Sequence, residues 1–488
     1  MSSDEDTSHR ADLVAERRAK IAWWRDRGLD PYAVGLSVTH QLADIHDEWD
    51  GKLEAGEESD YTVTVGGRVV LRRGHGKLVF LVLRQRAAEL QLMCRADVLG
   101  DAMALVSELD LGDWVMATGR VVRTKRGELS VQPDEVVLVG KALVPMPDKH
   151  HGLRDVQMRY RQRWADLAVN EDSRAVFEAR AAIVRALRDE LDERGYLEVE
   201  TPILQPIPGG AAAKPFVTYH NALDAEMFLR IAPELYLKRL IAGGMDRVYE
   251  IGRVFRNEGL SPRHNPEFTI LESYQAFADY HDIMSLTEAL VLRAAGAVGS
   301  VADLGRDWPR RRLLDLVREA TGEGDLDYDD PIDRLRSLCG SHGVPFEETW
   351  GTGKLVLELY EKLVEDRIDE PTFVIDYPVE VSPLARRHRD DPRVTERFEL
   401  IIGGRELANA FTELTDPDDQ RERFEVQARA RAAGDEEAMA VDEDYLAAME
   451  FGMPPTGGLG VGVDRLVMLL TGQPAIRDVV LFPALRPE

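Results

Sequence analysis

Cysteine is nearly missing from this 488-residue sequence: Cys94 and Cys339 are the only two, 245 positions apart, with no metal-ligand spacing around either. A disulfide framework and a cysteine-built zinc site are therefore not expected. Long apolar runs are missing too. Stretches such as "LVFLVL" at 78–83 fall far short of the ~20 residues a helix needs to cross a bilayer. The opening MSSDEDTSHR is acidic and polar, without the basic and apolar parts of a secretory signal. Positive charge is also short, with 61 Lys and Arg against 88 Asp and Glu, a formal −27. Taken alone, that balance argues against a polyanionic partner. The expectation is a reduced, cytoplasmic protein with no membrane association.

What is there is ordinary globular material, 44% apolar and 31% charged, in a chain long enough for two or three cores. The charge is uneven. From Tyr61 to Ser130 eleven Lys and Arg face seven Asp and Glu, and a basic module on an acidic body still steers nucleic acid to one face. Residues 1–60 read as a helical extension. Its charged helix over 8–28 ends at Gly28 and fits a solvated surface helix. Residues 61–147 carry short alternating segments such as "YTVTVGGRVV" and "DWVMATGRVV", the pattern of a small closed barrel. "VPMPDKHHG" (144–152) has the composition of a hinge, within a linker placed at 148–170. From 171 to 488 a helical segment is followed by β-rich stretches to about 277. A mostly helical part comes next, over about 282–370, and strands return near 371.

Three stretches carry chemistry. The first, "VFRNEGLSPRHNPEF" (254–268), joins two strand-like segments, 248–257 and 268–277. Two-residue periodicity sets Glu250, Arg256 and Glu258 on one face, and Phe268, Ile270, Glu272 and Tyr274 on another. Alone, this hairpin equally fits a solvent-facing one dressed with ion pairs. The second, "PTGGLGVGVDRLVMLL" (455–470), is a glycine-rich strand turning into a helix. Gly458, Gly460 and Gly462 do not make a dinucleotide fingerprint, because the remaining chain has no room for the βαβ unit and its acidic residue. They let a flat ligand approach the backbone, with Arg465 on one side of it and Phe268 on the other, a purine clamp. The third, "TERFELIIGGRELANAFTEL" (395–414), turns at Gly403-Gly404. In that register 401 pairs with 406 and 399 with 408, bringing Glu399 and Glu406 diagonal on one face, where two carboxylates suit Mg²⁺ on phosphates. Asn409, Phe411 and Glu413 share a face that strict alternation puts opposite Glu406. One active surface would need a bulge near Leu407 or Ala408.

In order, these stretches resemble the signature motifs of class II aminoacyl-tRNA synthetases, and in detail the bacterial lysyl-tRNA synthetase family. "ERGYLEVETP" (193–202) is similar to motif 1, "FRNEGLSPRHNPEF" to motif 2 and "GLGVGVDRLVMLL" to motif 3. The stretches 207–240 and 434–460 are close to the family's wording, and the resemblance runs from about Val65 nearly to the end. It implies an α+β multidomain chain: an N-terminal OB-fold β-barrel, then an antiparallel-sheet catalytic domain with a helical insertion. Motif 1 implies a homodimer.

The resemblance also implies roles. A carboxylate attacking the α-phosphate of ATP joins two anions, and fixed cations in a low-dielectric site are the largest lever on that repulsion. By resemblance Arg256 bridges the amino-acid carboxylate and the α-phosphate, and Arg263 and His264 reach the outer phosphates. Glu258 meets the adenine edge, Phe268 and Arg465 sandwich the ring, and Glu399 and Glu406 position Mg²⁺. The α-ammonium of lysine falls to Glu234 with Gly210 nearby, and its ε-ammonium to Glu272, Tyr274, Asn409 and Glu413, with Phe411 against the stem. Desolvated ammonium groups require such anions. Aspartate and asparagine enzymes, the alternative within the class, would want a cation there instead. In the barrel, Phe80, Gln91 and Glu128 correspond to residues that stack on and read the anticodon uridines of tRNA(Lys). Here the sequence departs from the family, because the turn after the Phe80 strand is "LRQRA", with no glycine. From a different class, a relative that modifies protein lysines or regulates through RNA would typically lack the barrel, a catalytic arginine or the metal carboxylates. All are present here.

Overall fold

The computed structural model describes residues 2–147, 153–305 and 307–487. The chain divides into two compact units between residues 171 and 172. Among the described residues no helix is long and apolar enough to cross a membrane.

The first unit is a closed five-stranded barrel in the order β1-β2-β3-β5-β4, formed by β1 (Glu58–His75), β2 (Leu78–Gln85), β3 (Ala88–Arg95), β4 (Trp114–Arg123) and β5 (Leu129–Gly140). Alternation decides its inside: Val79, Leu81 and Leu83 of β2 and Leu90, Leu92 and Cys94 of β3 fill the core. Phe80, between two inward neighbours, is therefore outside it. The N-terminal helix Ser2–Arg25 differs from the solvated helix expected. Trp24 is buried in the barrel core, Arg17 donates to the carbonyls of Ala142 and Val144, and Lys20 pairs with Asp110 at 2.7 Å. A second helix, Leu42–Trp49, adds Leu42 and Ile45 to the same core. Of the hinge expected over 144–152, residues 148–152 lie outside the described residues.

The second unit holds two short pieces, β6 (Leu197–Glu198) and β7 (Leu204–Gln205), the hairpin β8 (Val217–His220) and β9 (Ala225–Leu229), and the strands of the main sheet. These are β10 (Arg247–Phe255), β11 (Glu267–Ala276), β12 (Arg310–Arg312), β13 (Thr372–Ile375), β14 (Arg397–Ile401), β15 (Glu406–Thr412) and β16 (Thr456–Gly462). They join β6 in an eight-stranded sheet, order β12-β13-β14-β15-β16-β11-β10-β6. Pairing is antiparallel except at the two ends, β12 with β13 and β6 with β10. One face packs on helices: Leu271, Leu400, Leu459 and Val461 meet Leu187 of helix Glu171–Glu193, Leu290 of Tyr280–Val298 and Val467 of Val463–Thr471. The opposite face is partly covered, by Leu355 and Leu359 against Val374 and Ile401 and by Leu237 and Ile241 against Val248, Tyr274 and Ala276, and between these a groove stays open.

Two segments differ from the sequence reading. The β-rich region before 277 contains the helix Glu234–Ala242, started by the proline at 233. The helical region 282–370 contains β12, which adds an edge strand to the main sheet. Its helices, Leu313–Thr321, Ile332–Ser341 and Thr352–Leu363, build a core of their own with Val374 and Ile401.

Candidate active site

The groove left open on the sheet has β16 as its floor. Along that strand Leu459 and Val461 point into the core, so Gly458, Gly460 and Gly462 share the other face. Gly458 lies between Tyr274 of β11 and Phe411 of β15, Gly460 between Glu272 and Asn409, and Gly462 beside Ile270. Side chains of β11 and β15 thus wall a channel floored by bare backbone. It opens into a cavity of about 460 Å³ lined by every residue assigned to lysine, ATP or metal.

Those residues reach one surface because β15 carries a bulge. The turn is as expected: Gly403 and Gly404 take φ of 58° and 64°, and the Ile402 N–H donates to the Arg405 carbonyl at 3.0 Å. Ile401 pairs with Glu406, but Leu400 then pairs with Ala408 and Glu399 with Asn409. The expected pairing of 399 with 408 is off by one residue. Leu407 is the extra residue, and it switches the parity so that Glu406, Asn409, Phe411 and Glu413 all face the groove.

At one end the groove is acidic. Glu234, Glu272 and Glu413 are buried, and Tyr274 donates to Glu272 Oε2 at 3.1 Å. Burial, reinforced by Glu234, pushes the Glu272 carboxyl up to about 8. Among the described residues Glu413 Oε2 meets only the ammonium of Lys238, and Glu413 Oε1 has no hydrogen-bond partner. A buried carboxylate pair without enough cations is a site for an ammonium group. Gly210 is held at φ 86°, and a Cβ there would stand 2.9 Å from Glu234 Cβ. Gly458 is tighter, since its Cβ would fall 1.9 Å from Glu413 Oε1 and 2.7 Å from Tyr274 Cε1. That glycine is required by the acidic residue above it as well as by any ligand. Gly460 would tolerate a Cβ, with nothing nearer than 3.6 Å, so its emptiness is the channel's own.

The other end mixes charges. Arg465 donates to the Glu406 carbonyl at 2.8 Å and to its Oε2 at 3.0 Å. Burial opposes ionisation of Glu406, but Arg465 and Arg256 outweigh it and lower its pKa. Burial and then Glu406 push Glu399 up to about 7, although Arg397 donates to it at 2.6 Å. Among the described residues no three His, Cys, Asp or Glu cluster as a metal cage. Two carboxylates fit a Mg²⁺ that takes its remaining ligands from phosphate and water.

The motif 2 loop closes this end. Its backbone is pinned by Arg256 N–H to the Pro266 carbonyl (2.9 Å) and Asn257 N–H to the Lys214 carbonyl (2.7 Å). Arg256 lies 5.1 Å over the Phe268 ring, so Phe268 already accepts a flat cation, as it would a base. Arg263 pairs with Asp366 at 3.1 Å, and His264 Nδ1 lies 2.9 Å from Ser261 Oγ. Burial and then Arg465 lower the His264 pKa. Glu258 is exposed in the loop. Glu250, set by periodicity with Arg256, belongs elsewhere: it is bound to Arg230 at 2.5 Å and to Thr201.

Two residues of the site escaped the sequence reading. Arg397 donates to Asn409 Oδ1 (3.1 Å), Glu399 and Ser382 Oγ (3.0 Å) and lies 4.5 Å over Tyr377. Its spacing of two from Glu399 on a strand was the available signal. Lys238, fully buried, pairs with Glu234 at 2.5 Å and with Glu413. It lies one turn after Glu234 on the helix Glu234–Ala242.

On the barrel, Arg73 is the cross-strand neighbour of Phe80 and donates to Gln91 Oε1 at 3.1 Å. Gln91 Nε2 donates to Ser130 Oγ at 2.9 Å, and the Ser130 hydroxyl donates to the Glu128 carbonyl at 3.3 Å. Phe80 is half-buried and Glu128 exposed. The turn without glycine puts Arg86 at φ 53°. Its Gln85 accepts from the Leu42 N–H at 3.0 Å, and Arg84 pairs with Glu89.

Comparison with known proteins gives the family. A family model described as class II tRNA synthetases (D, K and N) matches residues 155–486, and one described as an OB-fold nucleic acid binding domain matches 63–139. The chain is 49% identical over 487 residues to a lysine–tRNA ligase of Carboxydothermus hydrogenoformans, covering 98% of each chain. It is 49% identical over 497 residues to the lysine–tRNA ligase of Bacillus subtilis, covering 99% of each. Identity to that of Staphylococcus aureus is 48% over 490 residues, covering 98% of this chain and 99% of the relative. With both the family model and near full-length relatives in agreement, the chain belongs to the class II aminoacyl-tRNA synthetases, in the lysine–tRNA ligase family.

Proposed function

We infer that this enzyme activates L-lysine with ATP and transfers it to tRNA(Lys), in the cytoplasm and as a homodimer. The observation that carries the choice of lysine is the acidic end of the groove, where Glu234, Glu272 and Glu413 lie buried together and Glu413 Oε1 has no hydrogen-bond partner among the described residues. A ligand with an aspartate or asparagine side chain offers those carboxylates no cation. Exposed apolar residues near motif 1, Leu197, Ile203, Leu204 and Val217, support the dimer.

In this reading the α-ammonium of lysine pairs with Glu234 beside Gly210. The stem lies on Phe411, and the ε-ammonium meets Glu272, Tyr274, Asn409 and Glu413. The lysine carboxylate is then directed toward Arg256. One carboxylate oxygen attacks the α-phosphorus, a new O–P bond forms, and the bond to pyrophosphate breaks. Arg256 offsets the charge of both anions, and Arg263 and His264 receive the outer phosphates. Adenine lies between Phe268 and Arg465, its edge toward Glu258. Glu399 and Glu406 would hold Mg²⁺, which when bound neutralises phosphate charge and eases departure of pyrophosphate. No side chain acts as nucleophile. A terminal ribose hydroxyl of the tRNA then attacks the lysyl carbonyl and AMP leaves. On the barrel Phe80, Gln91 and Glu128 read the anticodon.

The test is pyrophosphate exchange into ATP across all twenty amino acids, followed by charging of purified tRNA(Lys). Lysine-dependent exchange that Arg256→Ala abolishes is expected. Exchange with aspartate and none with lysine would sink the reading.

A further inference from the structure

The acidic end of the groove contains its own cation. Lys238 is fully buried, with its ammonium against Glu234 Oε1 (2.5 Å) and Glu413 Oε2 and over the rings of Phe411 (5.2 Å), Tyr274 (5.9 Å) and Tyr445 (6.0 Å). Burial alone would strip its proton, but the two carboxylates outweigh burial and hold the ammonium charged. A buried lysine so placed spans both walls of the site: Glu234 belongs to its own helix, and Glu413 follows β15.

Counting charge gives this a function. Glu234, Glu272 and Glu413 bring three negative charges when ionised, and Lys238 brings one positive charge. The deficit is two, the number of ammonium groups on lysine. The geometry points to Lys238 as a specificity-determining counter-ion, which fixes the pocket's demand at two ligand cations and aims Glu234 and Glu413 at them. This rests on the lysine reading above. Lys238 touches no reacting atom, so it is a positioning residue acting through the two carboxylates. Other charged groups face the same cluster, with Arg397 near Glu234 and Arg256 near Glu272. They belong to the phosphate end, whereas among the described residues Lys238 alone is in ion-pair contact with two of the three carboxylates.

Charge balance makes an unusual prediction. Glu413→Gln leaves two carboxylates against Lys238 and two ligand cations, one positive charge too many. Removing Lys238 as well restores neutrality. Lys238→Met alone leaves one carboxylate unbalanced, and more of the cluster then starts out protonated. Lysine has to expel those protons, so the penalty shrinks as pH rises.

The experiment measures KM for lysine and for ATP by pyrophosphate exchange at pH 7 and 8.5 in wild type, Lys238→Met, Lys238→Arg, Glu413→Gln and the Lys238→Met/Glu413→Gln double variant. Lysine KM should rise about 10- to 100-fold in Lys238→Met at pH 7 and by less at pH 8.5. ATP KM should stay within about threefold, and Lys238→Arg should recover part of the loss. The double variant should have a lower lysine KM than Glu413→Gln alone. A double variant equal to or worse than Glu413→Gln, including one with no exchange, overturns the inference, as does a Lys238→Met variant with wild-type lysine KM. So does a loss shared equally by lysine and ATP at both pH values and not relieved in Lys238→Arg. Failure of wild type to use lysine would instead strike the function proposed above.

Discussion

Gly458 and Glu413 compete for one volume: a Cβ on the glycine would stand 1.9 Å from the carboxylate oxygen. Gly458→Ala should therefore displace Glu413 and Tyr274 together. The expected result is a lysine KM raised at least about 100-fold, from the loss of one charge-assisted acceptor and the tilt of another. Gly460→Ala separates fold from ligand. Its Cβ has ordinary clearance, so thermal stability should stay near wild type while both substrates bind less well. Unchanged KM values in Gly460→Ala would show that the ligands do not follow β16.

Lysine binding should expel protons. Burial and Glu234 push Glu272 up to about 8, against an ordinary carboxyl value of 4.5. Between those values the folded, empty enzyme binds more protons than the unfolded chain. The stability this group supplies is present below that window and lost as pH rises through it. A ligand ammonium favours the ionised carboxylate, so affinity should rise about fivefold to tenfold from pH 7 to 8 and then level off. Calorimetry in buffers of different ionisation enthalpy reads the released protons directly. Binding independent of pH from 6 to 8, without proton release, would contradict the assignment.

The barrel and the catalytic unit should separate kinetically. Stacking a base is worth ~1–3 kcal/mol, so Phe80→Ala should lower kcat/KM for tRNA(Lys) about tenfold to a hundredfold. Lysine-dependent pyrophosphate exchange should stay within about twofold of wild type. If both fell together, Phe80 would be supporting the fold and not the anticodon.

Arg86 occupies a left-handed backbone position at φ 53°, which costs a side-chain-bearing residue ~1–2 kcal/mol. Glycine there avoids the strain but loses more chain entropy on folding. Arg86→Gly should leave a net gain of ~0.5–1 kcal/mol, read as amide exchange slowed about twofold to fivefold in β2 and β3. Unchanged or faster exchange would mean that the arginine side chain offsets the strain.

Alternation along β16 was legible because one face of the strand is core and the other is bare: Leu459 and Val461 against Gly458, Gly460 and Gly462. The Gly403-Gly404 turn was legible from its residues alone. Leu407 was not, because nothing in its identity distinguishes a bulge from a core leucine; only the need to bring Glu406 and Asn409 together pointed to it. Trp24 was hidden by the charges around it on the N-terminal helix. Lys238 was hidden for a different reason. A lysine on a helix normally faces water, and what buries this one is Glu413, 175 positions later. Arg397 was likewise passed over beside Glu399, since a strand arginine next to a glutamate reads as a surface pair.

Leu407 also divides the hairpin into two blocks of inheritance. Toward the turn, substitutions act on the end with Glu406 and Arg465; beyond it, they act on Asn409, Phe411 and Glu413, with Glu399 opposite Asn409. Loss or gain of one residue between Glu406 and Ala408 would exchange outward and inward side chains along the rest of β15. Descendants of this enzyme must thus keep the hairpin's length as strictly as the residues that face the groove.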